Sequence, residues 1–231
     1  MKQKFFSDKF MSALGRSYLV PCNMWNKEDE DFYTKNILPV FRRFMKNLLP
    51  RLKKCDGSVN DNLKEILITC ANRSFFELPT GEFAEVGAII TQQHVVAGMP
   101  VEGMVFGFTP KKIVLAGGIF GIEDHKLEQI KGFLTEQNEK YTLLQDNEDF
   151  SESFGKEGFC RPTNPLGVNT CSDGLVLNQG FAGCVGYIPG RFITDDILPD
   201  IIIAHYKGIK AMNRFLNKAV KPLKVSCEIT V

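Results

Sequence analysis

Several groups of side chains in this 231-residue chain have types and spacings that bear on chemistry. The string Ala88-Ile-Ile-Thr-Gln-Gln-His94-Val-Val-Ala-Gly98, preceded by Val86-Gly87, carries an imidazole near the end of an apolar run. Its plainest reading is a buried strand, Ile89 to Val96, whose polar residues face water. Seven cysteines make an odd count, and none stands in a C-x-x-C pair or beside a second cysteine or histidine at metal-ligand spacing. Zinc is therefore not supported, no metal site is assigned and no cofactor is expected. Several of these thiols lie in apolar stretches, as Cys227 does, where a free thiol behaves as a small hydrophobe in a reducing compartment. Gly117-Gly118-x-x-Gly121 follows a strand-like run and precedes a helical one, the order of a phosphate-binding turn. Neither the lysine and serine of a P-loop nor Gly-x-Gly-x-x-Gly accompanies it, and a glycine-rich turn explains it more simply. Finally, Lys35, Arg42, Arg43, Lys46, Arg51, Lys53 and Lys54 place seven bases and no acid on one helical stretch. Such a face suits an acidic membrane surface or an acidic partner, and equally an ordinary solvated face.

The segment around His94 resembles the histidine segment of chymotrypsin-like proteases, where a strand ends in Thr-x-x-His followed by two small apolar residues. The resemblance covers about a dozen positions. It implies that His94 acts as a general base on a serine or cysteine, beside glycines whose backbone amides form an oxyanion hole. Two places match the nucleophile segment in part. Thr170-Cys171-Ser172-Asp173-Gly174 resembles the serine motif, with Asp173 where the family has glycine. Gly183-Cys184-Val185-Gly186 resembles the cysteine motif of viral members, with Val185 where a glycine should follow the nucleophile. Ile202-Ile-Ala-His205-Tyr-Lys-Gly208 is similar to the substrate-pocket strand of those viral enzymes, which implies that His205 contacts a glutamine or glutamate of the substrate. Asp124 is the candidate for the acid that orients His94, with Glu102 as a second. Asp124 also opens a helix, a common structural place for aspartate.

The elements that would hold these residues follow from periodicity. From Asp31 to Leu52, Tyr33, Ile37, Phe41, Phe44, Leu48 and Leu52 recur at three and four, one face of a helix. Pro39 and Pro50 interrupt it, so a kink near Pro39 or two shorter helices is the alternative. Asp56 to Asn62 is a polar link. Leu67 to Phe76, Glu82 to Thr91, Val101 to Phe108 and Lys112 to Phe120 are each of strand length between turn-forming residues, and suit a meander or a half-barrel. Glu123 to Asn138 is helical, Asp146 to Thr170 is expected as an exposed loop or weak strands, and Leu175 to Ile188 adds two short strands.

A helix opened by Pro199 runs to Val220, with Lys207, Lys210, Arg214, Lys218 and Lys221 outside and Ile209, Met212, Phe215, Leu216 and Val220 inside. Leu223 to Val231 alternates as a half-buried strand. The fold class is α+β: a helical extension over residues 1–60 packed on a β-rich main domain over residues 61–231 that carries the C-terminal helix and strand, with a barrel as one arrangement of its sheet.

Composition narrows the functional classes. A hydrophobic fraction of 44% and a charged fraction of 24% are those of ordinary globular proteins. A net charge of +1 leaves nucleic acid only a local patch, and the strands lack interleaved bases and aromatics, so no nucleic-acid partner is expected. The first ten residues hold three lysines and an aspartate with no apolar core, and the charge-free run Val86 to Val101 is too short and too polar to span a bilayer. A soluble, cytoplasmic-type protein without a transmembrane segment is expected. Two readings follow: a chymotrypsin-like hydrolase of peptides or proteins, active or degenerate, and a non-enzymatic module that binds a ligand in an apolar pocket or a protein partner, including a second copy of itself.

Overall fold

Proline and glycine placement decides where the helices break and how closely they approach the sheet. In the computed structural model, residues 4–20, 22–69, 84–92, 100–154, 175–178 and 180–220 are described. The long N-terminal periodic stretch is two helices, α2 (Lys27–Asn36) and α3 (Leu38–Cys55), after a first helix α1 (Asp8–Tyr18). Pro39 lies in the first turn of α3, where a missing amide donor costs nothing, so the break precedes it and Pro50 is accommodated inside the helix. Asn26 and Asp29 close a reciprocal capping box at the start of α2. A single turn, α4 (Leu63–Ile66), leads into the two-residue strand β1 (Leu67–Ile68).

Beyond β1, β2 (Val86–Thr91), β3 (Val101–Phe108) and β4 (Lys112–Ile122) form an antiparallel meander. After α5 (Asp124–Glu136), α6 (Asn138–Gln145) and α7 (Glu148–Phe154), the chain adds β5 (Leu175–Asn178) and β6 (Gly180–Pro189). The sheet order is β1-β2-β3-β4-β6-β5, so β6 pairs with β4 and β5 stands at the edge. The sheet stays open, and the expectation of a barrel is corrected accordingly. The last helix, α8 (Leu198–Val220), spans 23 residues. The expected terminal strand Leu223 to Val231 lies outside the described residues. No helix among the described residues is long and apolar enough to cross a membrane.

Register shows which face the helices cover. Glu102, Met104, Phe106 and Phe108 of β3 oppose Ile119, Gly117, Leu115 and Ile113 of β4, which oppose Ala182, Cys184, Gly186 and Ile188 of β6. Directly paired residues share a face. Phe41 of α3 packs on Phe106 and Phe108 with ring centroids 6.2 and 5.3 Å apart, and Phe6 packs on Phe108 at 5.1 Å. On the same face Ile209 of α8 rests over Gly117, where a Cβ would come within 2.1 Å of its side chain. Thus α3 and α8 lie in one layer, and Gly117 lets α8 approach the centre of the sheet. A single buried cluster runs from Phe5 through the sheet to Leu216.

The flanks of α8 follow from its pitch of about 100° per residue. With Ile209 facing the sheet, Tyr206 and Lys210 turn toward the end of α3. Gly208 and Phe215 turn to the opposite side, where Phe215 meets Phe133 of α5 and Tyr141 of α6 at 5.0 and 6.4 Å. A Cβ on Gly208 would stand 2.5 Å from the Asp149 carbonyl oxygen, which marks the crossing of α7. The layer therefore reads α3, α8, then α5 to α7. Ala204, Lys207, Ala211, Arg214 and Lys218 are exposed and point away from the sheet. Where the sequence suggested an exposed loop from Asp146, α7 is a docked helix with Phe150 and Phe154 buried.

Candidate functional site

The densest polar convergence among the described residues is at Asp56. The apolar stripe of α3 seats that helix on the sheet and leaves Asp56 just past its last turn, its amide donating to the Leu52 carbonyl at 2.8 Å. Tyr206 and Lys210, one turn apart on α8, share the flank that faces it. Gln92 follows β2 directly. The Tyr206 hydroxyl, the Lys210 ammonium and the Gln92 amide donate to Asp56 Oδ2 at 3.0, 2.6 and 2.9 Å. The Ser58 amide and hydroxyl donate to Oδ1 at 3.1 and 2.5 Å.

Only 8% of the Asp56 side chain is exposed. Burial alone would raise its pKa, but the donors, Lys210 foremost, outweigh it and hold the carboxyl far below the ordinary 3.8. Burial, followed by the bond to Asp56, pushes the Tyr206 phenol well above its usual range. A carboxylate offers roughly four lone-pair sites. Five donors saturate this one, and the tyrosine is held protonated, so neither is placed to take a proton from a substrate. The arrangement instead ties the end of α3, the end of β2 and the middle of α8 together. Beside it, Asn213 donates to the Gly103 carbonyl at 2.8 Å, and Asn217 donates to Glu102.

The residues singled out from the sequence are dispersed. His94 and Ser172 lie outside the described residues. Cys184 is inside β6, paired across from Gly117 and on the face that Ile209 covers; it is 5% exposed, and burial pushes its thiol up to about 12. A thiol so placed holds its proton at neutral pH, and the thiolate is the reactive form. His205 does not end a strand, which corrects the resemblance to a substrate-pocket strand. It lies inside α8, 2% exposed, with Nδ1 donating to the Ile201 carbonyl at 2.7 Å and its ring edge-on to Phe154 at 5.5 Å. Burial lowers its pKa and keeps the ring neutral.

Asp124 is the exposed first residue of α5. Five strand positions separate Gly117, the partner of Cys184, from Ile122, roughly 16 Å along β4, before α5 begins. Cys184 and Asp124 therefore belong to different parts of the fold. Glu102 is engaged by Asn217. Gly117 and Gly118 are strand residues of β4, so the reading of a phosphate-binding or glycine-rich turn is also corrected. Of these three glycines, Gly121 has a positive φ, 73°, at the irregularity between Phe120 and Ile122.

Sequence reasoning missed the Asp56 cluster. Asp56 reads as part of a polar link, and its partners are 36 and 150 residues away. The available signal was Tyr206 and Lys210 at a four-residue spacing between the inner and outer faces of an amphipathic helix. No group of three or more histidine, cysteine, aspartate or glutamate side chains that could hold a metal ion occurs among the described residues. No protein-family model, curated protein or solved structure matches the chain.

Proposed function

We propose that the chain is a non-enzymatic interaction module. The observation that carries this reading is the burial of Cys184, a candidate nucleophile sealed between β6 and α8 with its proton held tightly. Two other described groups with chemical potential have comparable engagements: Asp56 is saturated, and His205 is a neutral ring packed on Phe154. What the helical layer offers to its surroundings is a broad charged surface, and such a surface supports recognition of a partner better than turnover of a substrate.

Electrophile labelling of the folded protein tests the reading. Iodoacetamide is expected to leave Cys184 unmodified, and a fluorophosphonate is expected to leave Ser172 unmodified. A hydrolase with His94 as base makes the opposite prediction. Stoichiometric modification of Cys184 or Ser172 that disappears in His94→Ala overturns the module reading.

A further inference from the structure

The outer surface of the helical layer is polarised in charge, basic over α3 and α8 and predominantly acidic over α5 to α7, where the exposed Lys131 is paired with Glu128 and the exposed Lys140 donates to the neutral Gln137. On α3 and α8, Arg42, Lys46, Lys54, Lys207, Arg214 and Lys218 are exposed, and none has an ion-pair partner among the described residues. On α5 to α7 and their links, Glu136, Glu139, Asp146, Glu148, Asp149 and Glu152 are exposed, again without an ion-pair partner among the described residues. On α3 and α8, the bases that pair with acids among the described residues are Lys210 with Asp56, Arg51 with Asp200 and Lys53 with Asp61. Among the described residues, a chain with net charge +1 thus carries six exposed cations without ion-pair partners on α3 and α8 and six exposed anions without them on α5 to α7 and their links.

We infer that this surface is a self-complementary interface and that its occupant is a second copy of the chain, turned by a two-fold axis that lies in the interface and runs along α8, at the boundary between the basic and the acidic helices. Such an axis lays the α3 and α8 cations of each copy on the α5 to α7 anions of the other, the reciprocal pairing that a closed two-fold dimer requires. Charge complementarity selects this occupant. A polyanion attracted to α3 would meet the acidic helices beside α8, and an acidic protein would satisfy only half of the surface. Ala204 and Ala211, spaced between the cations of α8, allow close approach of a facing helix. Leu143 of α6, 71% exposed within the acidic half, supplies an apolar anchor.

The inference rests on the interaction-module reading but has its own test. Sedimentation velocity of the full chain, over a range reaching about 100 µM, is expected to show a monomer–dimer equilibrium. The dissociation constant should rise at least about tenfold between 0.1 and 1 M salt, as the screening length falls from about 10 to 3 Å. Arg42→Glu with Lys46→Glu and Arg214→Glu cancels the positive charge of the basic half and leaves the surface predominantly acidic. Glu136→Lys with Glu148→Lys and Glu152→Lys cancels the negative charge of the acidic half and leaves it predominantly basic. Each triple variant alone is expected to be monomeric with the circular dichroism of the parent, and an equimolar mixture is expected to dimerise. All six sites are exposed, so folding is preserved.

A parent chain that stays monomeric throughout overturns the dimer, as does a dimer indifferent to salt and to both triple variants. Binding of an arbitrary 20-base-pair DNA duplex by the parent, strengthened in the basic variant with no dimer formed, also overturns it. Labelling that depends on His94 would remove the module reading while leaving the sedimentation result intact, so the two failures are distinguishable.

Discussion

The two flanks of α8 hold the same helix by different physics. Toward α3 the contact is polar and directional: Asp56 receives Tyr206 and Lys210, and Arg51 pairs with Asp200. Toward α5 to α7 it is apolar and depends on shape: Phe215 meets Phe133 and Tyr141, His205 meets Phe154, and Gly208 admits the backbone of α7. Directional bonds set the register of a helix, whereas area burial supplies most of the adhesion. The α3 flank should therefore respond to loss of one partner and the other flank to loss of volume, while each holds one group, Asp56 or His205, through which it responds to acid.

The sharpest way to break the apolar flank is Phe215→Ala. Deleting a ring that is 5% exposed is expected to cost about 3–5 kcal/mol, read as a lower urea midpoint that changes little with salt. On the polar flank, Asp56→Ala strands Lys210 and Tyr206, with an expected loss of about 3 kcal/mol. The lower end of the usual range applies because 24% of the Lys210 side chain reaches solvent. Asp56→Asn should recover part of the loss, and equal midpoints for the two variants would remove the electrostatic account.

Gly208→Ala tests shape alone. Its methyl would lie 2.5 Å from the Asp149 carbonyl, a backbone atom that moves only with α7, and a cost of about 1–3 kcal/mol is expected in the same denaturation assay. The pH dependence is smaller. His205 is depressed in the folded state, so the unfolded chain binds more protons once pH falls below 6.5. Stability is complete above that value and declines on acidification, by at most about 1.4 kcal/mol per pH unit for one proton. Asp56, also depressed, adds a second decline below 3.8. His205→Phe should remove the first decline and leave the second, as measured by urea midpoints from pH 7.5 to 3. Arg51→Ala should be the mildest change, under about 1 kcal/mol, because 38% and 51% of the paired side chains are exposed.

Elements with their own periodicity were legible in the sequence. β3 has the bounds expected for it, α8 begins one residue before the proline that announces it, and Pro39 marks the break between α2 and α3. The misreadings share a cause, since each residue involved takes its role from a distant contact. Helix α7 has seven residues and only one apolar edge, and it owes its place to Gly208. Gly117 looks like turn material until Ile209 is set on it. Lys210 was counted with the outer bases of α8, yet it turns inward to an aspartate far away in the chain. Of the residues assigned to catalysis or substrate binding, those of the histidine segment carry a local pattern, whereas the positions of Cys184 and His205 depend on strand pairing and helix packing that no local string records.

The insertion of β6 beside β4 has a consequence for the order of assembly. Residues 123–179 separate these two neighbours, so their pairing closes the longest loop in the sheet and carries the largest chain-entropy cost of any strand contact. During synthesis, β1 to β4 can pair, with α3 against them, before β6 and α8 have been made. Until those later segments arrive, the groove at Gly117 and the open edge of β4 remain uncovered. That half-built sheet is the species most exposed to misassembly, and its lifetime is set by how fast the C-terminal third of the chain folds back onto it.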